Sequence, residues 1–402
     1  MQNTKTKYKN TEIGLIPEDW EVKKLGDCAF VTKLAGFEYS LHFNSYKDQG
    51  EIIVVRGTNI THNKLDLNDV KTIPRKTSNN LQRSKLNKND LVFAYVGTIG
   101  PIFLVEEDDR FHLGPNTSKI TVNREHDSKY LFHFFTSTFL KKEIIEHTSI
   151  GAQPSLSMFK IRSFKILTPH SLTEQKAIAT ALSDTDALIS SLEQLISKKR
   201  AIKQGTMQQL LKPKDGWEVK KLGDVAEFSS GVAHENHVSS LGKYTLVNSK
   251  FISTEANIKK FTNYPLCPAR KNDILIVLSD VPNGRAIAKC FLVKHDNKYT
   301  VNQRIGIIRT NQINTHFLYL IINRNPYFLS FDDGAKQTNL RNQDVLNFEF
   351  ASPKSLNEQA FISTILSDMD TEIQNLEIKL HKYKQIKQGM MQQLLTGKIR
   401  LV

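Results

Sequence analysis

A chain of 402 residues, 39% hydrophobic and with a mean hydropathy of −0.37, has the composition of two ordinary folded domains, not of a disordered polymer. It has no apolar run near the roughly 20 residues that span a bilayer and no apolar stretch of a secretory signal at its start, and its three cysteines (Cys28, Cys267, Cys290) are scattered, so a reducing cytoplasm is expected. Lys and Arg number 55 against 41 Asp and Glu, a net charge of +14 whose field favours polyanions such as nucleic acid.

In chain order, the segment Trp20-Glu21-Val22-Lys23-Lys24-Leu25-Gly26-Asp27 comes first and proves to be an anchor. Arg56 and Asn59 follow near loops, then a basic stretch of Lys71, Arg75, Lys76, Arg83 and Lys85. Lys88-Asn89-Asp90 reads as a turn before the short apolar strand Leu91-Val92-Phe93. Gly97-Thr98-Ile99-Gly100 reads as a tight turn. Tyr130-Leu131-Phe132-His133-Phe134-Phe135 is an aromatic helix expected in the core, and Gly151-Ala152-Gln153-Pro154-Ser155-Leu156 precedes a long helix. That helix, from Thr173 to Leu211, would be about 58 Å long at 1.5 Å per residue, with Thr173 as its cap.

The order then repeats. Trp217 to Asp224 is identical to Trp20 to Asp27, at an offset of 217 − 20 = 197 residues. Lys271-Asn272-Asp273-Ile274-Leu275-Ile276 echoes the first turn and strand, Phe317 to Ile322 the aromatic helix, and Gly334-Ala335-Lys336-Gln337-Thr338-Asn339-Leu340 the Gly-Ala-Gln segment. Leu356-Asn357-Glu358-Gln359 and Met391-Gln392-Gln393-Leu394-Leu395 match Leu172-Thr173-Glu174-Gln175 and Met207-Gln208-Gln209-Leu210-Leu211 at an offset of 184, with Asn357 as the second helix cap. The chain is a tandem duplication. Its four segments are 1–170 and 213–354, each a mixed α/β domain, and the helical segments 171–212 and 355–402.

Both helices carry an apolar series in alternating steps of four and three: Ile178, Leu182, Ile189, Leu192 and Ile196 in the first, and Ile362, Leu366, Met369, Ile373, Leu376 and Leu380 in the second. Thr185, Lys199, Lys203 and Lys387 interrupt the seams. Their equivalent placement points to antiparallel pairing within one chain, giving an α+β protein with approximate two-fold symmetry; a homodimeric coil is the alternative. In copy one, Arg56, Asn59 and Gln153 fall near predicted loops and suit base contacts, and the basic stretch suits phosphates. Copy two adds DNA-contact candidates in Asn248, Lys250, Arg285, Gln303, Arg304, Lys336, Gln337 and Arg341, with further basic residues at Lys259, Lys260, Arg270, Lys271 and Lys289. Arg, Asn and Gln pair bidentately with base edges, whereas Lys and Arg neutralise phosphates without reading sequence.

No catalytic centre emerges. There is no Gly-x-x-x-x-Gly-Lys-Ser/Thr loop, no dinucleotide fingerprint and no zinc-spaced His and Cys cluster. Asn325-Pro326-Tyr327-Phe328 only loosely evokes an adenine-methyltransferase tetrapeptide and reads better as a helix end. Glu21-Val22-Lys23 lacks the upstream aspartate of a metal-dependent nuclease.

The opening Gly14-Leu15-Ile16-Pro17-Glu18-Asp19-Trp20-Glu21-Val22, the Gly-Ala-Gln-Pro-Ser-Leu segment at 151–156, and the run from Pro169 to Leu211, repeated from Pro353 to Leu395, together resemble the specificity subunits of type I restriction-modification systems. Lys336 departs from the Gly-Ala-Gln spacing, and no Pro precedes Trp217. The resemblance implies two target recognition domains reading a split duplex DNA sequence. It also implies spacer helices that dock two adenine-methylating subunits, and a translocating nuclease subunit for restriction. S-adenosylmethionine, magnesium and ATP would then belong to those partners, with no catalytic or metal site in this chain. A stand-alone or phase-variable DNA reader of the same fold is the alternative.

Overall fold

A computed structural model describes residues 7–42, 50–148 and 154–401. The chain forms two compact units, residues 1–194 with 378–402, and residues 195–377, so each long helix contributes a part to both.

In the first unit a four-stranded antiparallel sheet runs in the order Ile102–Leu104, Leu91–Ala94, Thr117–Val122, Ala29–Lys33. A three-stranded sheet pairs Phe111–Leu113 in parallel with Ile52–Val55, and the latter antiparallel with Lys71–Ile73. The second unit repeats this plan. Glu227–Ser230, Ile305–Arg309, Ile274–Val277 and Cys290–Leu292 make the larger sheet. Lys260–Thr262, Tyr244–Val247 and Tyr299–Val301 make the smaller one, again with one parallel pair.

The repeated Lys-Asn-Asp turn has a local cause. Asn89 and Asn272 both adopt φ +72°, in the left-handed region that asparagine tolerates. Asp90 and Asp273 each accept the backbone N–H three residues earlier, at 2.8 Å from Asn87 and Arg270. The strands that follow, Leu91–Ala94 and Ile274–Val277, are buried at every position, which explains their unbroken apolar sequence. The aromatic helices Ser128–Phe135 and Thr315–Ile322 pack on them; Tyr130, Phe134, Phe135, Phe317 and Leu318 are all buried. Phe93 meets Phe135 and Phe164 edge to face at 5.5 and 6.3 Å.

The long helices span Leu172–Leu210 and Leu356–Leu394, 39 residues each. Their caps differ from the sequence expectation. Ser171 and Ser355, not Thr173 and Asn357, offer hydroxyls to first-turn N–H groups (Glu174 at 3.4 Å, Asn357 at 3.2 Å), because each helix begins one residue earlier than expected. The Glu-Gln pair that follows is a clamp. Gln175 and Gln359 are buried; each donates to a proline carbonyl (Pro169 at 3.0 Å, Pro353 at 2.8 Å) and accepts the N–H of the residue capping the aromatic helix (Asp127 at 2.9 Å, Asn314 at 2.8 Å). Their neighbours Glu174 and Glu358 accept the indole N–H of Trp20 and Trp217, both at 3.3 Å. This is why the Trp and the Glu-Gln recur together in both copies.

Within each unit the helices run antiparallel. In the first unit Lys387 meets Asp186 at 2.6 Å and Lys384 meets Glu193 at 2.7 Å. In the second the repeat-equivalent pairs are made, Lys203 with Asp370 and Arg200 with Glu377, along with Lys199 and Glu372 at 2.7 Å. The lysines that break the apolar series are therefore cross-helix ion pairs. Ile178, Leu182, Ile189, Leu192, Ile196, Ile362, Leu366 and Ile373 are buried, and Met369, Leu376 and Leu380 half-buried. The first residues of each series also enter a domain core, Ile178 and Leu182 in the first unit, Ile362 and Leu366 in the second.

Two buried histidines set a pH dependence for the first unit. His112 bonds Ser78 Oγ through Nδ1 and His133 bonds Ser183 Oγ through Nε2, both at 2.9 Å. Burial pushes both pKa values down to about 4, helped by Lys119 and Lys85 at His112 and by Lys387 at His133. Both stay neutral in the folded unit while the unfolded chain protonates near 6.5. Their contribution to stability is whole above about pH 6.5 and is lost as pH falls towards 4, by roughly 2 kcal/mol per histidine at pH 5. Urea unfolding at pH 7.5 and pH 5 measures the loss. His133→Leu is expected to reduce it, since Leu320 occupies the equivalent place in the second unit, and an unchanged pH dependence would contradict this assignment.

Candidate nucleic-acid interface

In the second unit, the segment that follows the aromatic helix returns to the core strand. Thr338–Asn339 pairs with Ser279–Asp280, and Leu340 N–H reaches Leu278 O at 2.8 Å. Asp280 accepts N–H groups from Ala286 and Ile287 at 2.6 and 3.1 Å, folding 281–285 into a loop whose Asn283 donates to Gly334 O at 3.3 Å. The result is a polar cleft of about 350 Å³ lined by Ser230, Leu278, Ser279, Gln303, Arg304, Gln337, Asn339, Leu340 and Asn342.

Its hydrogen bonds hold the amides in place. Gln337 Nε2 donates to Ser279 Oγ at 2.6 Å and Asn339 Oδ1 at 3.4 Å. Ser230 Oγ donates to Asn342 Oδ1 at 3.5 Å, and Gln303 Nε2 to Glu235 at 3.2 Å. Three of the residues singled out in the sequence, Gln303, Arg304 and Gln337, thus share one cleft. Lys336 and Arg341 lie on its return segment and Arg285 on the neighbouring loop; the Arg341 side chain is 87% exposed. Among the described residues Arg285, Arg304 and Lys336 form no ion pair, so their charge faces solvent. Asn248 and Lys250 lie apart, at the start of the helix Ser249–Ser253, where Asn248 Oδ1 caps Phe251 N–H at 2.9 Å.

The first unit makes the equivalent turn. Val96 bridges Ser155, and Leu156 N–H reaches Tyr95 O at 3.0 Å. Gly97 and Gly100 take φ +77° and +113° in the tight turn between. Gln153, with Gly151 and Ala152, lies outside the described residues. Lys71 sits on the outer strand Lys71–Ile73, and Arg75 and Lys76 on the helix Arg75–Asn80, all exposed or half-buried. Arg75 is held by Glu51 at 3.8 Å and by Asp109 O at 3.2 Å; Arg83 donates to Thr32 Oγ1 at 2.9 Å. Arg56 pairs with Asp69 at 3.1 Å. Asn59 departs from the sequence expectation of a loop amide free to meet a base. It is 3% exposed, its Oδ1 accepts from Arg56 N and Nε, and its Nδ2 donates to Asp66 O and Asp69 O, so both ends of the amide serve the fold.

Sequence reasoning missed Ser230, Ser279, Asn339 and Asn342. The run Gln337-Thr338-Asn339-Leu340-Arg341-Asn342 is dense in amides and could have flagged two of them. The serines come from strands far away in sequence and carry no such signal.

Neither catalytic echo forms a site. Glu21 and Lys23 pair with each other at 3.2 Å on a strand against Lys165–Pro169. Asn325 caps the short helix Pro326–Leu329 through Tyr327 N–H at 3.0 Å. Among the described residues no group of three or more His, Cys, Asp or Glu could hold a metal ion, and no helix is long and apolar enough to cross a membrane.

A duplicated α+β unit clamped onto paired helices, with an exposed polar, cation-rimmed cleft in its second copy, has the form of a two-domain binding subunit. The type I restriction modification DNA specificity domain matches the chain twice, over residues 17–201 and 214–388, and the chain belongs to that family. It is 26% identical, across 98% of its length and 97% of the relative's, to a putative type I restriction enzyme MjaX specificity subunit of Methanocaldococcus jannaschii. It is 25% identical to the MjaVIII specificity subunit of the same organism, covering 96% and 94% of the two chains. Over 49% of its length it is 24% identical to the EcoBI specificity subunit of Escherichia coli, 41% of which is covered. The fold matches the crystal structure of the S subunit from M. genitalium with a TM-score of 0.63 at 15% identity, over 98% of this chain and 97% of that one. The chain is therefore a non-catalytic specificity subunit that recognises the DNA target within a type I restriction-modification complex.

Proposed function

We propose that this subunit reads a bipartite duplex target and directs adenine methylation or restriction by its partners. Segments 1–170 and 213–354 each take one half-site, and 171–212 with 355–402 serve as spacer and docking surface. The observation that carries this reading is that the specificity domain occurs twice, each copy with the same Trp–Glu and Gln clamp onto a long helix. Two adenine-methyltransferase subunits dock on the helices and a translocating nuclease subunit completes the complex. They bring S-adenosylmethionine, magnesium and ATP, and the complex works in the cytoplasm. The methylating partner also supplies the pocket for the extruded adenine.

DNA contact falls to Arg56, Lys71, Arg75, Lys76 and Arg83 in the first unit and to Lys250, Arg285, Gln303, Arg304, Lys336, Gln337 and Arg341 in the second. The test is to sequence methylated adenines genome-wide in a host expressing this chain with its methylating subunit. A split motif that vanishes when this gene alone is removed is the expected result; methylation that persists unchanged overturns the reading. Phosphate contact has its own signature. Lys336→Ala is expected to weaken binding to all sequences alike and to lower the slope of log K against log salt by about 0.9. A fluorescence titration at several salt concentrations reads that slope, and an unaltered slope removes Lys336 from the phosphate set.

A further inference from the structure

On the return segment of the second unit's cleft, two amides each have one end left over. Gln337 uses Nε2 towards Ser279 and Asn339, and Asn342 uses Oδ1 towards Ser230. Among the described residues no hydrogen bond engages Gln337 Oε1 or Asn342 Nδ2. An acceptor and a donor in one cleft match the chemistry of the major-groove edge of adenine, which presents the N6 amino group as donor and N7 as acceptor. Guanine presents two acceptors there and would leave Gln337 Oε1 facing another oxygen.

Gln337 is tied to Ser279 and Asn339, and Asn342 to Ser230, which restricts both exposed side chains before binding. Gln337 follows the exposed Lys336 and Asn342 follows Arg341, and Arg304 lines the same cleft. Cations beside an amide floor divide the work as DNA readers do, phosphates at the rim and base edges within. The first unit has Gln153 at the sequence position of Gln337, three residues before the shared leucine (Leu156, Leu340), and differs at the other places. Aligned on the shared bridges, Val96 stands for Ser279, Ser155 for Asn339, and Met158 for Asn342. The two units share a frame and differ in the chemistry that lines it, which is what two unlike half-sites require.

We propose that this cleft is the base-reading element of the second unit, and that Gln337 and Asn342 together specify one adenine in its half-site. The proposal rests on the bipartite reading above and sharpens it. The experiment sequences methylated adenines in hosts expressing the methylating subunit with the unaltered chain, with Gln337→Leu, or with Asn342→Ala. Purified variants are checked for an unaltered far-ultraviolet circular dichroism spectrum and urea midpoint. The expected result is a motif in which one adenine of one half-site is relaxed by either variant, while the other half-site and the gap stay as they were. Competition binding with duplexes changed at that base pair is expected to show discrimination falling roughly ten- to hundredfold.

Two folded variants that both keep the original motif would overturn the proposal and leave the bipartite reading intact. Relaxation at a position other than adenine would overturn it too. Should either variant prove unstable, Gln337→Met and Asn342→Asp replace them. Methionine keeps the length but removes the acceptor, aspartate turns the donor into an acceptor, and an unchanged motif has the same meaning. Absence of any split motif even with the unaltered chain is a separate outcome, and it refutes the broader reading.

Discussion

Removing four residues from the middle of each long helix, 194–197 and 378–381, is expected to shorten the gap between the two half-sites by one or two base-pair steps. The two excisions are repeat-equivalent, since both lie at the 184-residue offset that relates the helices. Four residues are about 6 Å of helix, against about 3.4 Å per base-pair step along B-DNA. A continuous helix has no hinge to absorb that change, whereas a flexible linker would. The excision overshoots one turn by about 40°, a small stutter that paired helices accommodate. The domain cores and the ion pairs Lys387–Asp186 and Lys203–Asp370 lie outside the excised segments. Methylated-adenine sequencing reads the result directly. Unchanged half-sites with a shorter gap support a spacer role; a doubly shortened chain that still methylates at the original gap sinks it.

Arg400→Ala is expected to destabilise the first unit by about 3–5 kcal/mol. The Arg400 guanidinium donates to both oxygens of Glu174, at 2.5 and 2.8 Å, and to both of Asp19, at 2.9 and 2.7 Å. It also lies 5.8 Å from the Trp20 ring centroid. The Glu174 side chain is wholly inaccessible. Without Arg400 it keeps one indole N–H and a buried, uncompensated charge, and that penalty dominates the loss. Asp19 is half outside and adds little, although Arg400 holds its carboxyl below the ordinary range.

Glu174→Gln in the same chain removes the charge but keeps an acceptor for Trp20, so the double variant is expected to recover most of the stability. The second unit supplies a control. Glu358 makes the same bond to Trp217 but is exposed and, among the described residues, has no arginine partner, so Glu358→Gln is expected to change stability by less than about 0.5 kcal/mol. Each unit holds one of the two tryptophans. Trp217→Phe therefore isolates the first unit in a fluorescence-monitored urea titration. An Arg400→Ala midpoint equal to that of the unaltered chain would show that the buried pair contributes nothing.

Residues close together in sequence determined the repeated plan. Asn89 and Asn272 carry their turns because a left-handed backbone needs a residue that tolerates it. The runs at 91–94 and 274–277 are strands because every side chain there is buried. The alternating fours and threes from Ile178 and Ile362 are helices because one face must stay apolar. Even the breaks in that pattern were informative, as Lys387 and Lys203 answer Asp186 and Asp370 across the pair.

What tertiary structure alone decided is which side chains remain available for chemistry. Asn59 and Gln337 look alike as loop amides. One is buried with both ends of its amide bonded to neighbours in its own loop, and the other has an oxygen that no hydrogen bond among the described residues engages, beside a cleft. Ser230 and Ser279 reach that cleft from separate strands, and Arg400 finds Glu174 across 226 residues. Propensity and periodicity act over a few residues and leave their mark in local sequence. Hydrogen-bond satisfaction depends on which distant groups the fold brings within about 3 Å, and no local pattern encodes that.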